Sequence, residues 1–163
     1  MKRIILTAIA VIGVFSSFTS RTDPDGKKAL PQNIAPSFAA KYPNAKIKKW
    51  EMRNEQYIVD FTDDRNKCAA YYSPGGGWIK TEVSIPWTKD LPMAVRKSVQ
   101  NSGYGQWRVD GIKEVMTAGQ PLYVLHVDDG DSLDSDHYDA FKKDYMLSFT
   151  ADGILKDKEK ILN

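Results

Sequence analysis

The sequence predicts an α+β protein: two tandem repeats of a helix followed by an antiparallel meander, with both helices packed on one face of the sheet. Three observations lead there. A Leu-Pro pair opens a helical pattern twice, at Leu30-Pro31 and at Leu91-Pro92. Each pattern is followed by short aromatic strands of period two. Each half closes on a glycine turn, Ser73-Pro74-Gly75-Gly76-Gly77-Trp78 and Thr150-Ala151-Asp152-Gly153-Ile154. Helical and alternating periods following one another in this order mark helices laid over an antiparallel sheet.

The first nineteen residues stand apart. Lys2 and Arg3 precede an apolar run from Ile4 to Phe15, and Ser16, Ser17, Thr19 and Ser20 follow it. A bilayer needs about 20 apolar residues, so this run is too short to span one and fits a cleaved secretory signal, residues 1–19. No cysteine lies near the cut, which argues against a lipoprotein. The expected location is periplasmic or secreted, with a soluble mature protein and no membrane insertion after cleavage. Residues 20–29 are polar and turn-rich and read as a flexible leader. Residues 30–163 form the folded domain, its two repeats meeting at about residues 87 and 88.

In the first repeat, Ile34, Phe38 and Tyr42 recur every four residues and define one apolar helix face, which Pro43 ends. Pro36 either opens this helix or kinks it. Tyr57, Val59 and Phe61 then alternate with Ile58 and Asp60, and Lys67-Cys68-Ala69-Ala70-Tyr71 has strand character. In the second repeat, Asp90 is placed to cap the helix and Pro92 falls near its first turn. Leu91, Val95 and Val99 form its apolar stripe, and Gly103 is positioned to stop it. Two strands follow, Tyr123/Leu125/Val127 alternating with Val124, His126 and Asp128, and Tyr145/Leu147/Phe149 alternating with Met146, Ser148 and Thr150.

Composition excludes several functions. The chain of 163 residues has 23 basic and 21 acidic residues. Loss of Lys2 and Arg3 with the signal leaves 21 of each. That balance does not suit phosphate neutralisation, so no nucleic-acid partner is expected. Cys68 is the single cysteine, so the chain cannot form an internal disulfide, and its strand context suggests a buried apolar thiol. No zinc spacing occurs. Gly75-Gly76-Gly77 lacks the Lys-Ser/Thr of a phosphate cradle and reads as a hairpin turn. His126 and His137 have no nucleophile motif beside them. No enzymatic activity, catalytic residue or cofactor is expected.

The order Leu30-Pro31, helix, Tyr42-Pro43-Asn44-Ala45-Lys46-Ile47, aromatic strand and Gly77-Trp78-Ile79-Lys80 resembles the PepSY-like family. These are exported bacterial proteins also described as similar to β-lactamase-inhibitor proteins. The likeness covers about residues 30–156 as two copies. The second departs from it at Gly103-Tyr104-Gly105-Gln106-Trp107 and by an acidic insertion. The resemblance implies an envelope protein that binds another protein, a peptidase or other enzyme that it would inhibit, without chemistry of its own.

Two surfaces follow from the residues. If the Tyr57, Tyr123 and Tyr145 series pack under the helices, the opposite face carries Ile58, Asp60, Trp78, Lys80, Glu82, His126 and Met146. Aromatic and sulfur side chains mixed with charges suit a protein-binding surface, and Trp78 would be its main anchor. The partner would be an envelope or extracellular protein. The alternative is a calcium- or small-ligand-responsive protein using the loop 128–139. There Asp128, Asp129, Asp131, Asp134, Asp136 and Asp139 supply oxygen ligands in a spacing that does not match an EF-hand.

Overall fold

A computed structural model of the protein describes residues 29–130 and 143–161. The signal segment, nearly all of the leader, and Asp131, Asp134, Asp136, His137 and Asp139 of the acidic loop lie outside the described residues. Helix α1 (Ala35–Lys41) precedes strands β1 (Lys46–Arg53), β2 (Gln56–Asp63), β3 (Asn66–Tyr72) and β4 (Trp78–Ser84). A 3-10 turn (Thr88–Asp90) and helix α2 (Met93–Gln100) follow. The chain then runs through β5 (Arg108–Met116), β6 (Leu122–Asp128), β7 (Asp144–Thr150) and β8 (Leu155–Ile161). All eight strands form one antiparallel sheet in sequence order, so the structure is α+β.

Tight local turns build this meander. Asn54 and Glu55 between β1 and β2, and Asp64 and Arg65 between β2 and β3, all have positive φ. Paired left-handed residues give a two-residue turn whose twist matches the strands it joins. The outer strands β1 and β8 are rich in lysine, including Lys46, Lys48 and Lys49 on one and Lys156, Lys158 and Lys160 on the other. Charged edges of this kind discourage edge-to-edge pairing with other chains.

The core has two clusters. Ile34, Phe38 and Tyr42 from the first helical segment bury themselves with Val59, Phe61, Cys68, Ala70 and Tyr72. Leu91 and Val95 do the same with Ile112, Leu125, Val127, Leu147 and Phe149. Full burial of each such side chain contributes about 1.5–3 kcal/mol. Cys68 is buried and free, as its strand context predicted. The second helix begins differently from the sequence expectation. Asp90 ends the 3-10 turn, Pro92 occupies the N-cap position without a side-chain bond, and the helix stops at Gln100 with Asn101 as its C-cap, before Gly103. Proline fixes φ and has no N–H to lose, so it starts this helix without help from a carboxylate.

Each helix is also gripped by a turn of the sheet. Between β3 and β4, Ser73 N–H donates to the Gly77 carbonyl and Gly76 N–H to the Ser73 carbonyl. Between β7 and β8, Thr150 N–H donates to the Ile154 carbonyl and Gly153 N–H to the Thr150 carbonyl. Gly76 has φ +88° and lies so close to the turn leading into α1 that an added Cβ would be 2.0 Å from the Asn33 carbonyl oxygen. Gly153 has φ +85°, and its Cβ would be 2.6 Å from the Ala94 carbonyl oxygen of α2. Both positions thus demand glycine twice over, for backbone conformation and for space.

Gly153→Ala is therefore expected to lower stability by about 2–4 kcal/mol, read as the urea midpoint. Gly103→Ala, with nothing within 4 Å of its added Cβ, is the control and should leave the midpoint nearly unchanged.

Candidate functional site

The pairing register assigns every strand residue to a face. Val59 pairs with Ala70, Ala70 with Thr81 and Thr81 with Met116, forming one row across β2 to β5. Two steps along β5 from Met116 reach Glu114 and then Ile112, and the row continues through Leu125 to Leu147. Both buried clusters lie on this face. The opposite face carries Ile58, Asp60, Lys80 and Glu82 in the first half and His126 and Met146 in the second. Ile58 pairs with Tyr71 and Tyr71 with Lys80, Asp60 pairs with Ala69 and Ala69 with Glu82, and His126 pairs with Met146. Six of the seven residues expected from the sequence thus share one face.

Trp78 does not. The β3–β4 register slips between Tyr71, which pairs with Lys80, and Tyr72, which pairs with Trp78, leaving Ile79 as an extra residue. This bulge turns Trp78 to the side of the fully buried Tyr72, where it packs against the first core cluster. Its indole N–H donates to Thr81 Oγ1 at 2.9 Å. The Lys41 ammonium sits 3.8 Å from its ring centroid. Thr81 Oγ1 also shares a hydrogen bond with the Tyr42 hydroxyl. Trp78 is therefore a structural link between β4 and the end of α1, and the bulge leaves Ile79 37% exposed instead.

Over β1–β4 the opposite face forms an open concavity of about 400 Å³. Lys48, Lys49, Arg53, Lys67 and Lys113 are among its basic walls, with Ile58, Ala69 and Tyr71 on its floor. Its central group is Glu82, whose side chain is 13% exposed. One carboxylate oxygen lies 2.6 Å from Lys80 Nζ and the other 2.8 Å from Lys113 Nζ, so this acid ties β4 to β5. Burial works to raise the Glu82 carboxyl, but hydrogen bonds and charge from Lys113 and Lys80 outweigh it and hold the group below its ordinary value. Tyr71 packs under Lys80, whose ammonium is 4.3 Å from the ring centroid. Burial, then the adjacent Glu82 charge, push its hydroxyl up to about 12. Tyr71, Lys48, Lys49, Lys67 and Lys113 were missing from the sequence expectation, which included Lys80. The strand Lys67–Tyr71 was recognised but not phased, and pairing of Tyr71 with Ile58 supplies the phase.

At the far end of the sheet, Asp128 pairs across the strands with Asp144, and both are buried, at 0% and 2% exposure. Asp128 accepts from Arg108 Nε at 3.0 Å and from Gly130 N–H at 2.8 Å. His126 Nε2 lies 3.8 Å from Asp144 Oδ1. Desolvation raises the Asp128 carboxyl, and hydrogen bonds from its neighbours, with the Arg108 charge, bring it below its ordinary range. Asp128 thus anchors the exit of β6, while Asp129 accepts a hydrogen bond from Lys143 N–H across the base of the loop. Among the described residues, no group of three His, Cys, Asp or Glu could hold a metal ion, and no helix is long and apolar enough to cross a membrane.

The model of the family described as "Putative beta-lactamase-inhibitor-like, PepSY-like" matches this chain twice, over residues 21–77 and 55–156. No curated protein matches it. Among solved structures, a BLIP-like protein from Bacteroides fragilis is 25% identical, with 86% of this chain and 93% of that one covered and a TM-score of 0.71. A DUF2874 family protein from Bacteroides ovatus is 22% identical, with 82% and 89% covered and a TM-score of 0.69. A protein described among "putative periplasmic proteins" of Bacteroides eggerthii is 18% identical, with 82% and 90% covered and a TM-score of 0.67.

The lowered Glu82 carboxyl gives a pH signature. The folded state binds this proton less readily than the unfolded chain, so Glu82 stabilises the fold above the ordinary carboxylate range. That contribution is lost as pH falls through the lowered folded value. Glu82→Gln should lower the urea midpoint at about pH 7, and by less at about pH 3, below the ordinary carboxylate range. An equal gap at both pH values would contradict the role assigned to the Lys80–Glu82–Lys113 bridge.

Proposed function

Because the chain belongs to the PepSY-like family, we propose that it is an exported, non-enzymatic protein-binding module that acts through the helix-free sheet face. Its target would be a peptidase or other enzyme of the envelope, held in an inhibited complex. The observation that carries this reading is the uncovered concave face itself: an antiparallel sheet with its core on one side and an open, side-chain-rich concavity on the other. An uncovered sheet face that mixes Ile58, Tyr71 and Met146 with interleaved charges has the composition of a protein interface.

The two halves read as copies of one unit, residues 30–87 and 88–163, with both helices on one face. The matched glycine turns at Gly76 and Gly153 support that reading. The signal-like segment 1–19 and the periplasmic description of the Bacteroides eggerthii neighbour both favour export to the periplasm or beyond. The BLIP-like neighbour favours an inhibitory role. No chemistry is needed for that role, only a rigid surface complementary to the target.

Photo-crosslinking tests the face. A benzophenone amino acid placed at Ala69 or Val124, both on the helix-free side, should trap a discrete protein adduct in cells. The same group at the exposed Lys97 of α2 should not. Adducts from position 97 alone would assign binding to the helix side and overturn this reading.

A further inference from the structure

The helix-free face is electrically polarised along the strand order, and this says what kind of partner surface it accepts. In the concavity over β1–β4, the acids are already engaged. Asp60 lies 3.4 Å from Lys49, Glu51 pairs with Arg53, and Glu82 bridges Lys80 and Lys113. Lys48 and Lys67 line the same concavity, are exposed, and have no ion-pair partner among the described residues. They lie on β1 and β3, on either side of β2, so their charges converge over one hollow. Lys48 reaches it because the β1–β2 register slips between Ile47 and Lys49, which inserts Lys48 as an extra residue.

The other end of the face has the opposite sign. Asp157 of β8 pairs with Ser148 and Glu159 with Met146, which places both acids on the helix-free side. Both are exposed and, among the described residues, neither has an ion-pair partner. A surface basic at β1–β4 and acidic at β7–β8 attracts a partner in one orientation and repels it in the reverse one.

Resting on the proposed protein-binding role of this face, we propose that the β1–β4 concavity seats an acidic peptide segment of the partner protein. A loop or extended stretch bearing Asp or Glu side chains would place its carboxylates on Lys48 and Lys67 and its apolar atoms on Tyr71, Ile58 and Ala69. A bilayer is too flat to follow a concave sheet. A polyphosphate chain carries charge on every unit and has no apolar atoms to cover Tyr71, Ile58 and Ala69. A short protein segment, with charges spaced by side chains, fits both constraints. The acidic strip of Asp157 and Glu159 keeps the same segment from settling at the far end and so fixes the orientation of the complex.

The test uses the exported protein and two fluorescein-labelled probes, hexaglutamate and hexalysine, followed by fluorescence anisotropy. Hexaglutamate is expected to bind with an affinity that falls steeply as salt is added. The K48E/K67E double variant should weaken it about tenfold or more, whereas D157K/E159K should bind at least as tightly as the parent. All four positions are exposed, and a thermal melt confirms that each variant is folded. Parent-like binding by K48E/K67E, or equal binding of hexalysine by the parent, would overturn the proposal. If hexaglutamate fails to bind while a crosslinker at Ala69 still traps a partner, the acidic segment is excluded and the face assignment stands.

Discussion

The structure depends on two backbone contacts in which a glycine turn of the sheet presses against a helix. Helices of seven and eight residues are too short to persist alone in water, where about 12–15 residues are marginal. Neither has a side-chain N-cap bond. Their stability comes from the apolar residues they bury and from the turns that hold them at Asn33 and Ala94. With both buried clusters on one side of the sheet, the other face is left open among the described residues. The concavity, its charges and its exposure to a partner all follow from that placement.

The parts of the fold legible in sequence were those where a period survives intact. Ile34, Phe38 and Tyr42 are buried together, and so are Leu125, Val127, Leu147 and Phe149, because four-residue and two-residue spacing translate directly into helix and strand faces. Strand β5 was not legible. Its register slips between Val109 and Gly111, which breaks the alternation, and Gly111 itself argues against a strand. Strand β8 was hidden differently: Lys156, Asp157, Lys158, Glu159 and Lys160 give it no apolar row, since nearly all of it is exposed. Of the acidic stretch that follows β6, only Asp128 and Asp129 lie among the described residues, and both accept backbone hydrogen bonds.

The candidate site was legible by the same logic and failed at the same kind of place. Ile58, Asp60, Lys80, Glu82, His126 and Met146 are phased correctly because no bulge separates them from the rows used to phase them. Trp78 was misplaced because one extra residue at Ile79 reverses the face of everything before it. A strict period of two makes register an all-or-none property. The consequence for function is substantial. The aromatic expected to anchor the open face is instead part of the scaffold beneath Lys41, and the half-buried aromatic on the open face is Tyr71. Pairing also shows what composition conceals. A chain whose formal charge is only +2 separates charge along one sheet, with Lys48 and Lys67 at one end and Asp157 and Glu159 at the other, none of them with an ion-pair partner among the described residues.

The central claim, that partners meet the helix-free face, is tested most directly by lysine acetylation footprinting of the protein alone and in complex with a partner purified on it. The account predicts that Lys48, Lys67 and Lys113 lose reactivity in the complex while Lys41 and Lys97, on the helix side, keep theirs. Protection confined to Lys41 and Lys97, with Lys48, Lys67 and Lys113 still reactive, would contradict it.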